Sequence, residues 1–186
     1  MKKNYSKYSN SELFGLLTEQ KPIAEAAFAE LYSRLGQRIY AYCLRITGHQ
    51  EEAQDIYQES FLKFYASARE GKKVDNVSGF IIRIARNLCL NYKFRHRTKI
   101  NFDDYSLEIN ETSYEQKELL ELIAGALELL DFEHREVFIL RQYHGLSYHE
   151  ISEITGDSEH AIKSRVWRAK EKVKNILAPY MEDLSK

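Results

Sequence analysis

The stretch that most constrains this 186-residue chain runs from Gly145 to Val173. Ser147 precedes a short helical pattern and Glu150 follows three residues later, which is the arrangement of a capping box. Gly156 stands where the chain has to reverse direction, and a second helical pattern follows it. The spacing therefore predicts two short helices joined by a tight turn.

The second of these helices has one apolar face and one basic, aromatic face. Either Asp157 or Ser158 can cap its N-terminus. The apolar positions recur at helical spacing and are predicted to be buried: Ile162, Val166, Ala169 and Val173. The opposite face carries polar, basic or aromatic side chains: His160, Lys163, Ser164, Trp167, Arg168 and Lys170. Such a helix suits the major groove of DNA, so the pattern predicts a helix-turn-helix. An ordinary helical hairpin with a solvated charged face is the alternative.

Charge and aromatic content favour the DNA-binding interpretation. Between Ser158 and Ile176 there are six Lys or Arg residues and two Glu residues. The only tryptophan, Trp167, projects from the polar face, where core packing does not explain it. The whole chain has a net charge of −1, however, whereas a protein that grips DNA unaided is usually strongly basic. DNA binding is therefore predicted to be local, and weak without a partner.

Composition and cysteine usage exclude several other classes of protein. Hydrophobic residues make up 44% of the chain, and only 8 Gly and 2 Pro occur, which favours a mostly helical fold over a turn-rich β architecture. Cys43 and Cys89 fall inside helical apolar patterns and are predicted to be small buried hydrophobes. No zinc-binding or metalloprotease spacing occurs, so we expect no zinc site, and no metal, cofactor or catalytic residue is predicted. The chain has no secretory leader pattern and no apolar run long enough to cross a bilayer, which predicts a cytoplasmic location.

Upstream of the helix-turn-helix, apolar residues recur at helical spacing and no strand-like alternation appears. A capping box of Ser9 and Glu12 opens a first short helix. Pro22 suits the first turn of a long second helix, which ends at Gly48. The remaining predicted helices cover about residues 50–70, 76–99, 115–130 and 133–143.

Residues 100–114 interrupt this helical pattern. The segment is acidic and has no clear period, which is typical of a linker between domains. The sequence therefore predicts an all-α protein with two small helical domains, residues 1–99 and 115–186. The acidic linker joins them, and the C-terminal domain contains the helix-turn-helix.

The predicted third helix is acidic in its first half. Asp55 and Glu59 stand one turn apart with Gln58 beside them, and no Lys or Arg occurs in this helix before Lys63. Carboxylates near a helix N-terminus are favoured by the helix dipole, so stabilisation of the helix is the simplest explanation. An acidic, hydrogen-bonding ridge is also a surface on which a basic partner docks.

The predicted fourth helix has the opposite charge. Basic, amide and aromatic side chains cover its polar side and distal end, among them Arg83, Arg86, Asn87, Asn91 and Tyr92. No acidic residue occurs between Arg83 and Lys99. This composition suits a nucleic-acid face, including one that binds single strands by base stacking. A solvated helix face is the alternative.

Three segments, taken together, resemble a known family. They are EEAQDIYQESFLKFY at residues 51–65, GFIIRIARNLCLNYKFRHR at residues 79–97, and LSYHEISEITGDSEHAIKSRVWRAKEKV at residues 146–173. In this order and spacing they resemble the bacterial RNA polymerase sigma factors of the extracytoplasmic-function (ECF) group. The resemblance extends from about Ser11 to Leu177.

The resemblance implies roles for matching positions. Three residues would dock on the clamp helices of the polymerase β′ subunit: Asp55, Gln58 and Glu59. The turn at residues 69–76 and the fourth helix would recognise and open the minus-ten element, the helix through Arg86, Asn87 and Asn91. The minus-thirty-five element would be read in the major groove by Lys163, Ser164, Arg165, Trp167 and Arg168. The implied partners are core RNA polymerase (β′ and β subunits), promoter DNA and an anti-sigma protein, with no membrane insertion of the chain itself.

The chain also departs from the family pattern. Phe80 stands where the family often has Trp, and the turn at residues 69–76 has no aromatic residue to hold a flipped base. The recognition helix opens with DSEHAI, which predicts an unusual promoter sequence. Two other functions compete with the sigma interpretation. A free-standing helix-turn-helix regulator would dimerise on paired half-sites and would not need the acidic ridge. A metal-dependent nuclease would need a ligand cluster that the sequence does not contain.

Overall fold

The computed structural model describes residues 4–95 and 122–184 and divides into two compact units, Met1–Phe102 and Asp103–Lys186. Unit 1 contains a short 3-10 helix, Tyr5–Lys7, followed by α1 (Asn10–Leu16), α2 (Lys21–Thr47), α3 (Gln50–Arg69) and α4 (Val77–Arg95). Unit 2 contains α5, described over residues 122–128, then α6 (Phe132–Gln142), α7 (Tyr148–Thr155) and α8 (Glu159–Leu184). The described residues form helices and no strand, which confirms the all-α prediction. The predicted linker, residues 100–114, lies outside these ranges.

The helices of unit 1 begin and end at the predicted signals. The Glu12 carboxylate accepts a hydrogen bond from the Ser9 amide at 2.7 Å, and Ser9 Oγ accepts one from the Glu12 amide at 3.2 Å, which closes the capping box. Pro22 lies in the first turn of α2. Gly48 ends α2 in the left-handed region at φ 74°, and its amide donates to the Leu44 carbonyl at 2.8 Å.

Two arginines attach the N-terminal segment to the rest of unit 1. Arg34 on α2 donates from its two terminal nitrogens to the carbonyls of Tyr8 at 2.7 Å and Ser6 at 2.9 Å. Arg69, at the end of α3, donates to carbonyls just after α1, including that of Thr18 at 3.2 Å. These bonds satisfy carbonyl groups that a short helix and its flanks leave unpaired. They fix both ends of α1 on the two long helices.

The core of unit 1 is strongly aromatic. Tyr42 and Phe64 are fully buried, and both cysteines are free and buried, as predicted. The side chain of Tyr57, on α3, packs against α2. Burial and a hydrogen bond with Tyr32 raise the pKa of Tyr57. Its ring centroid is 5.3 Å from that of Phe61 and 5.6 Å from that of Tyr32. The Tyr57 ring is therefore held in place from several sides.

The core of unit 2 joins α5 to α8. Its buried members are Ala126, Leu127, Leu130, Ala169 and Val173, and Ile123, Phe138, Ile176 and Leu177 pack against them. Ala126 and Leu127 lie on α5 and Leu130 follows it, and all three face inward as predicted. Because α8 buries its stripe here, its opposite side is left to the solvent.

The close approach of Tyr57 to Gly36 generates a stability prediction. A Cβ at Gly36 would lie 2.8 Å from the Tyr57 hydroxyl oxygen, whereas a Cβ at Gly15 would meet nothing within 4 Å. Gly36→Ala is expected to lower the free energy of unfolding by about 1–3 kcal/mol, because the packed ring has to shift. Gly15→Ala, the matched control on α1, should raise it by about 0.5–1 kcal/mol. Urea unfolding of the full chain measures both, and equal stabilisation by the two substitutions would contradict the assignment.

Candidate nucleic-acid interface and acidic ridge

The residues of the acidic ridge, defined as Asp55, Gln58 and Glu59, lie together on the solvent side of α3. All three are exposed, and their spacing of three and four residues places them on one face. Ile56 and Tyr57 between them are buried on the other face. The Glu59 carboxylate is 3.1 Å from Lys63 Nζ, an exposed ion pair of the kind that contributes little to stability. The ridge therefore presents hydrogen-bond acceptors and negative charge to a partner.

Sequence reasoning missed an apolar residue beside the ridge. Leu62 is 71% exposed and follows Gln58 by one turn on the same face. The apolar stripe of α3 contains Phe61 and Phe64, which are buried, and Leu62 falls outside it. That mismatch was the available signal. Apolar side chains surrounded by polar ones are typical of the centre of a protein interface.

On α4, the structure aligns two of the three residues predicted for the minus-ten element. Asn87 and Asn91 are exposed and one turn apart, and Arg83 continues the same row in the preceding turn. Arg86 is half-buried and lies beside this row rather than on it. We define the minus-ten row as Arg83, Asn87 and Asn91. Sequence reasoning placed Arg83 on this face but left it out of the site.

The structure corrects the interpretation of Tyr92 as part of the nucleic-acid face. Its hydroxyl donates to Glu52 Oε1 at 2.9 Å, which connects α4 to the first turn of α3. Burial, together with the hydrogen bond to Glu52, raises the pKa of Tyr92 to about 12. Tyr92 therefore forms a contact between helices. The sequence did not predict this contact, because the partner lies 40 residues away.

A lysine in the turn between α3 and α4 lies over an aromatic ring at the start of α4. Lys72 Nζ lies 4.6 Å from the centroid of the Phe80 ring. The Phe80 ring in turn packs at 6.1 Å from both Phe14 and Phe64. Gly71 adopts φ 80°, which lets the chain reverse. Phe80, which stands at the position where the family often has Trp, therefore packs on the core of unit 1.

The helix-turn-helix forms as predicted. The Ser147 amide donates to Glu150 Oε2 at 2.8 Å, the Glu150 amide donates to Ser147 Oγ at 3.1 Å, and Gly156 ends α7 at φ 83°. Ser158, one of the two predicted caps, accepts a hydrogen bond from the Ala161 amide at 3.3 Å. The apolar stripe of α8 is buried at all four predicted positions, Ile162, Val166, Ala169 and Val173.

The exposed side of α8 carries most of the predicted minus-thirty-five residues. Lys163, Trp167 and Arg168 are exposed, and Ser164 between them is half-buried. The Trp167 side chain is 65% exposed, which confirms that it does not belong to the core. This surface offers cationic donors, a hydroxyl and an indole ring side by side. We call Lys163, Ser164, Trp167 and Arg168 the reading face.

Two cations of α8 lie outside the reading face and form ion pairs within unit 2. Arg165 Nη1 lies 2.5 Å from Asp157 Oδ2, and Nη2 lies 3.3 Å from Glu133 Oε2. The hydrogen bond to Asp157 is the main cause of the raised pKa of Arg165. Lys172 Nζ lies 3.2 Å from Asp131 Oδ2, and this contact lowers the pKa of Asp131. Arg165, which the sequence placed with the DNA readers, therefore pairs with carboxylates of its own unit.

Two further properties concern the part of the chain that the structure describes. There, no group of three or more His, Cys, Asp or Glu side chains could hold a metal ion. None of the helices in residues 4–95 and 122–184 is both long and apolar enough to span a bilayer.

Both units of the chain match models of known protein families. Residues 31–99 match the model of sigma-70 region 2, and residues 120–173 match that of sigma-70 region 4. The chain is 31% identical over 150 residues to the ECF RNA polymerase sigma factor SigL of Mycobacterium tuberculosis, covering 77% of this chain and 85% of that one. It is 28% identical over 163 residues to the RNA polymerase sigma factor YlaC of Bacillus subtilis, covering 83% and 94%.

Solved structures share the fold. The sigma factor RpoE of Bartonella quintana, solved with the anti-sigma factor NepR, superposes with a TM-score of 0.69 at 21% identity, covering 81% of this chain and 96% of that one. CnrH, solved with the cytosolic domain of CnrY, gives a TM-score of 0.68 at 20% identity, covering 92% and 99%. With a region 2 match on the acidic ridge and minus-ten row, and a region 4 match on the reading face, the chain belongs to the ECF RNA polymerase sigma factors.

Proposed function

We propose that this sigma factor binds its partners through three separate surfaces, each on one helix. The acidic ridge of α3 docks on core polymerase, the minus-ten row of α4 contacts the downstream promoter element, and the reading face of α8 contacts the upstream element. In this proposal residues 1–99 and 115–186 are the two functional domains and residues 100–114 link them. The observation that carries it is the exposure of all three surfaces on helices within the matched regions.

The acidic ridge supports docking on the clamp helices of the β′ subunit. It combines two carboxylates and an amide with the exposed Leu62. Complementary charge steers a basic partner and fixes its register, and an apolar contact at the centre supplies desolvation. A free-standing helix-turn-helix regulator has no use for such a ridge.

The minus-ten row supports contact with separated strands. Arg83 supplies a positive charge for the DNA backbone. The side-chain amides of Asn87 and Asn91 can each donate hydrogen bonds to a base edge and accept them from it. The turn with Lys72 lies directly before this helix and adds a cation. Arg86 lies beside the row, and we assign it a supporting role in the same contact with the minus-ten element. Because the turn has no aromatic residue, we assign opening of the promoter to polar and backbone contacts.

The reading face supports major-groove recognition. Arg168 and Lys163 can donate to guanine edges or phosphates, Ser164 can contact either base type, and Trp167 offers an apolar surface. The polymerase makes the phosphodiester bond, so the sigma factor supplies no catalytic residue, metal or cofactor.

The same proposal covers location and regulation. The chain acts in the cytoplasm, where core polymerase and promoter DNA are found. The structurally similar sigma factor RpoE was solved in complex with the anti-sigma factor NepR, and CnrH was solved in complex with the cytosolic domain of CnrY. We extend this to an anti-sigma partner for the present chain.

Charge reversal on the ridge tests the docking surface. Asp55→Lys or Glu59→Lys is expected to reduce binding to core polymerase at least tenfold, because either places a cation against a basic partner. Glu25→Lys, an exposed charge reversal on α2 of the same unit, is the matched control and should bind as the wild type does. Co-purification with core polymerase and a titration by fluorescence anisotropy measure the effect. Wild-type affinity for both ridge variants would contradict the assignment.

Removal of one side chain on α8 tests the reading face. Arg168→Ala is expected to cost about 1–3 kcal/mol of promoter binding by the holoenzyme if the guanidinium contacts a base. The loss should be confined to promoters with an intact upstream element. Lys174→Ala removes an exposed cation from the same helix and should weaken all promoters alike. If Arg168→Ala also weakens every upstream sequence equally, Arg168 contacts phosphate and does not read bases.

A further inference from the structure

The guanidinium of Arg165 joins three parts of unit 2. It approaches the Asp157 carboxylate with two nitrogens, Nη1 at 2.5 Å from Oδ2 and Nη2 at 3.3 Å from Oδ1. Nη2 also lies 3.3 Å from Glu133 Oε2 on α6. The Arg165 side chain is only 23% exposed. A bidentate pair of this kind fixes the plane of the guanidinium as well as its position.

Asp157 is itself held firmly by the turn. Its carbonyl oxygen accepts from Ser152 Oγ at 2.5 Å, and its amide donates to Thr155 Oγ1 at 3.3 Å. It follows Gly156, whose positive φ sets the direction of the chain. The carboxylate is therefore an anchor that moves with the end of α7. The Arg165–Asp157 pair connects this anchor to α8 eight residues further along.

A bidentate contact of Arg165 with a base edge would compete with these bonds, because both terminal nitrogens already pair with carboxylates. The guanidinium lies between two carboxylates, and withdrawing it would leave the negative charges of Asp157 and Glu133 facing a polyanion without their cation. Arg168, on the exposed side of the same helix, does not carry this cost. We infer that Arg165 is a positioning residue: through Asp157 it sets the orientation of α8, and so of the reading face, relative to α7. This role rests on the proposed function of α8.

Unit 2 supplies a matched control. Lys172 lies seven residues after Arg165 and pairs with Asp131, the residue that precedes α6, at 3.2 Å. Both side chains of this pair are more exposed than Arg165, at 49% and 74%. Lys172→Met removes a cation and an ion pair from the same helix without touching the turn. It therefore reports the general effect of lost charge and lost pairing.

The test uses holoenzyme assembled from the full chain and core polymerase. Competition binding compares promoter fragments with an intact and with a substituted upstream element, over a range of salt concentration. Asp157→Asn, which keeps the charge of Arg165, and Arg165→Met should each lower the discrimination between the two fragments by roughly tenfold. The double variant should lose no more than either single variant, because the pair acts as one unit. Core binding should stay at the wild-type level, and Lys172→Met should discriminate as the wild type does.

Several results would overturn the inference. If Arg165 contacts DNA, Asp157→Asn releases its guanidinium, and promoter binding is unchanged or tighter. In that case Arg165→Met lowers by about one the slope with which the logarithm of promoter affinity falls as the logarithm of salt concentration rises. Equal loss of discrimination in Lys172→Met would show a general effect of charge. A wild-type holoenzyme that ignores the upstream element would overturn the proposed function of α8, and the inference with it. A discriminating wild type with a wild-type-like Asp157→Asn variant overturns the role of Arg165 alone.

Discussion

Burial of one apolar stripe on each long helix decides which side chains a unit can offer to a partner. In unit 2 the stripe from Ile162 to Val173 is buried, and its C-terminal members Ala169 and Val173 share a core cluster with Leu127 and Leu130. The reading face therefore has to point to the solvent. In unit 1 the burial of Ile56 and Phe64 exposes the acidic ridge in the same way. An amphipathic helix that buries its apolar side has only the opposite side left for recognition. The three surfaces follow from this constraint.

The charge distribution fits a subunit that depends on a larger assembly. The chain has a net charge of −1, and some cations of α8 are paired within the fold, as Arg165 and Lys172 are. Neutralisation of phosphates supplies most non-specific affinity for DNA, and a cation that is paired within the fold contributes less to it. A partner that brings both promoter contacts together raises the effective concentration of the second contact once the first is made. We therefore expect promoter recognition by this chain to require the holoenzyme.

Local features could be predicted from the sequence, and contacts between distant residues could not. The capping boxes at Ser9 and Ser147 and the buried stripe of α8 depend on spacing within one helix, and all of them form. The basic and aromatic composition of the fourth helix placed Tyr92 on a nucleic-acid face, and the family resemblance placed Arg165 on another. Their partners, Glu52 and Glu133, lie 40 and 32 residues away, and nothing in the local pattern identifies them. Whether a cation on an amphipathic helix faces solvent or a carboxylate is decided by tertiary packing.

The most direct measurement is run-off transcription with purified core polymerase and the full chain over genomic fragments. The account predicts discrete promoter-dependent transcripts that require both proteins, and it predicts that the chain alone gives no sequence-specific footprint on the same promoters. The transcripts would also define the recognised sequence. Absence of any transcript, together with specific binding of the chain alone to paired half-sites, would contradict the account and identify a free-standing regulator.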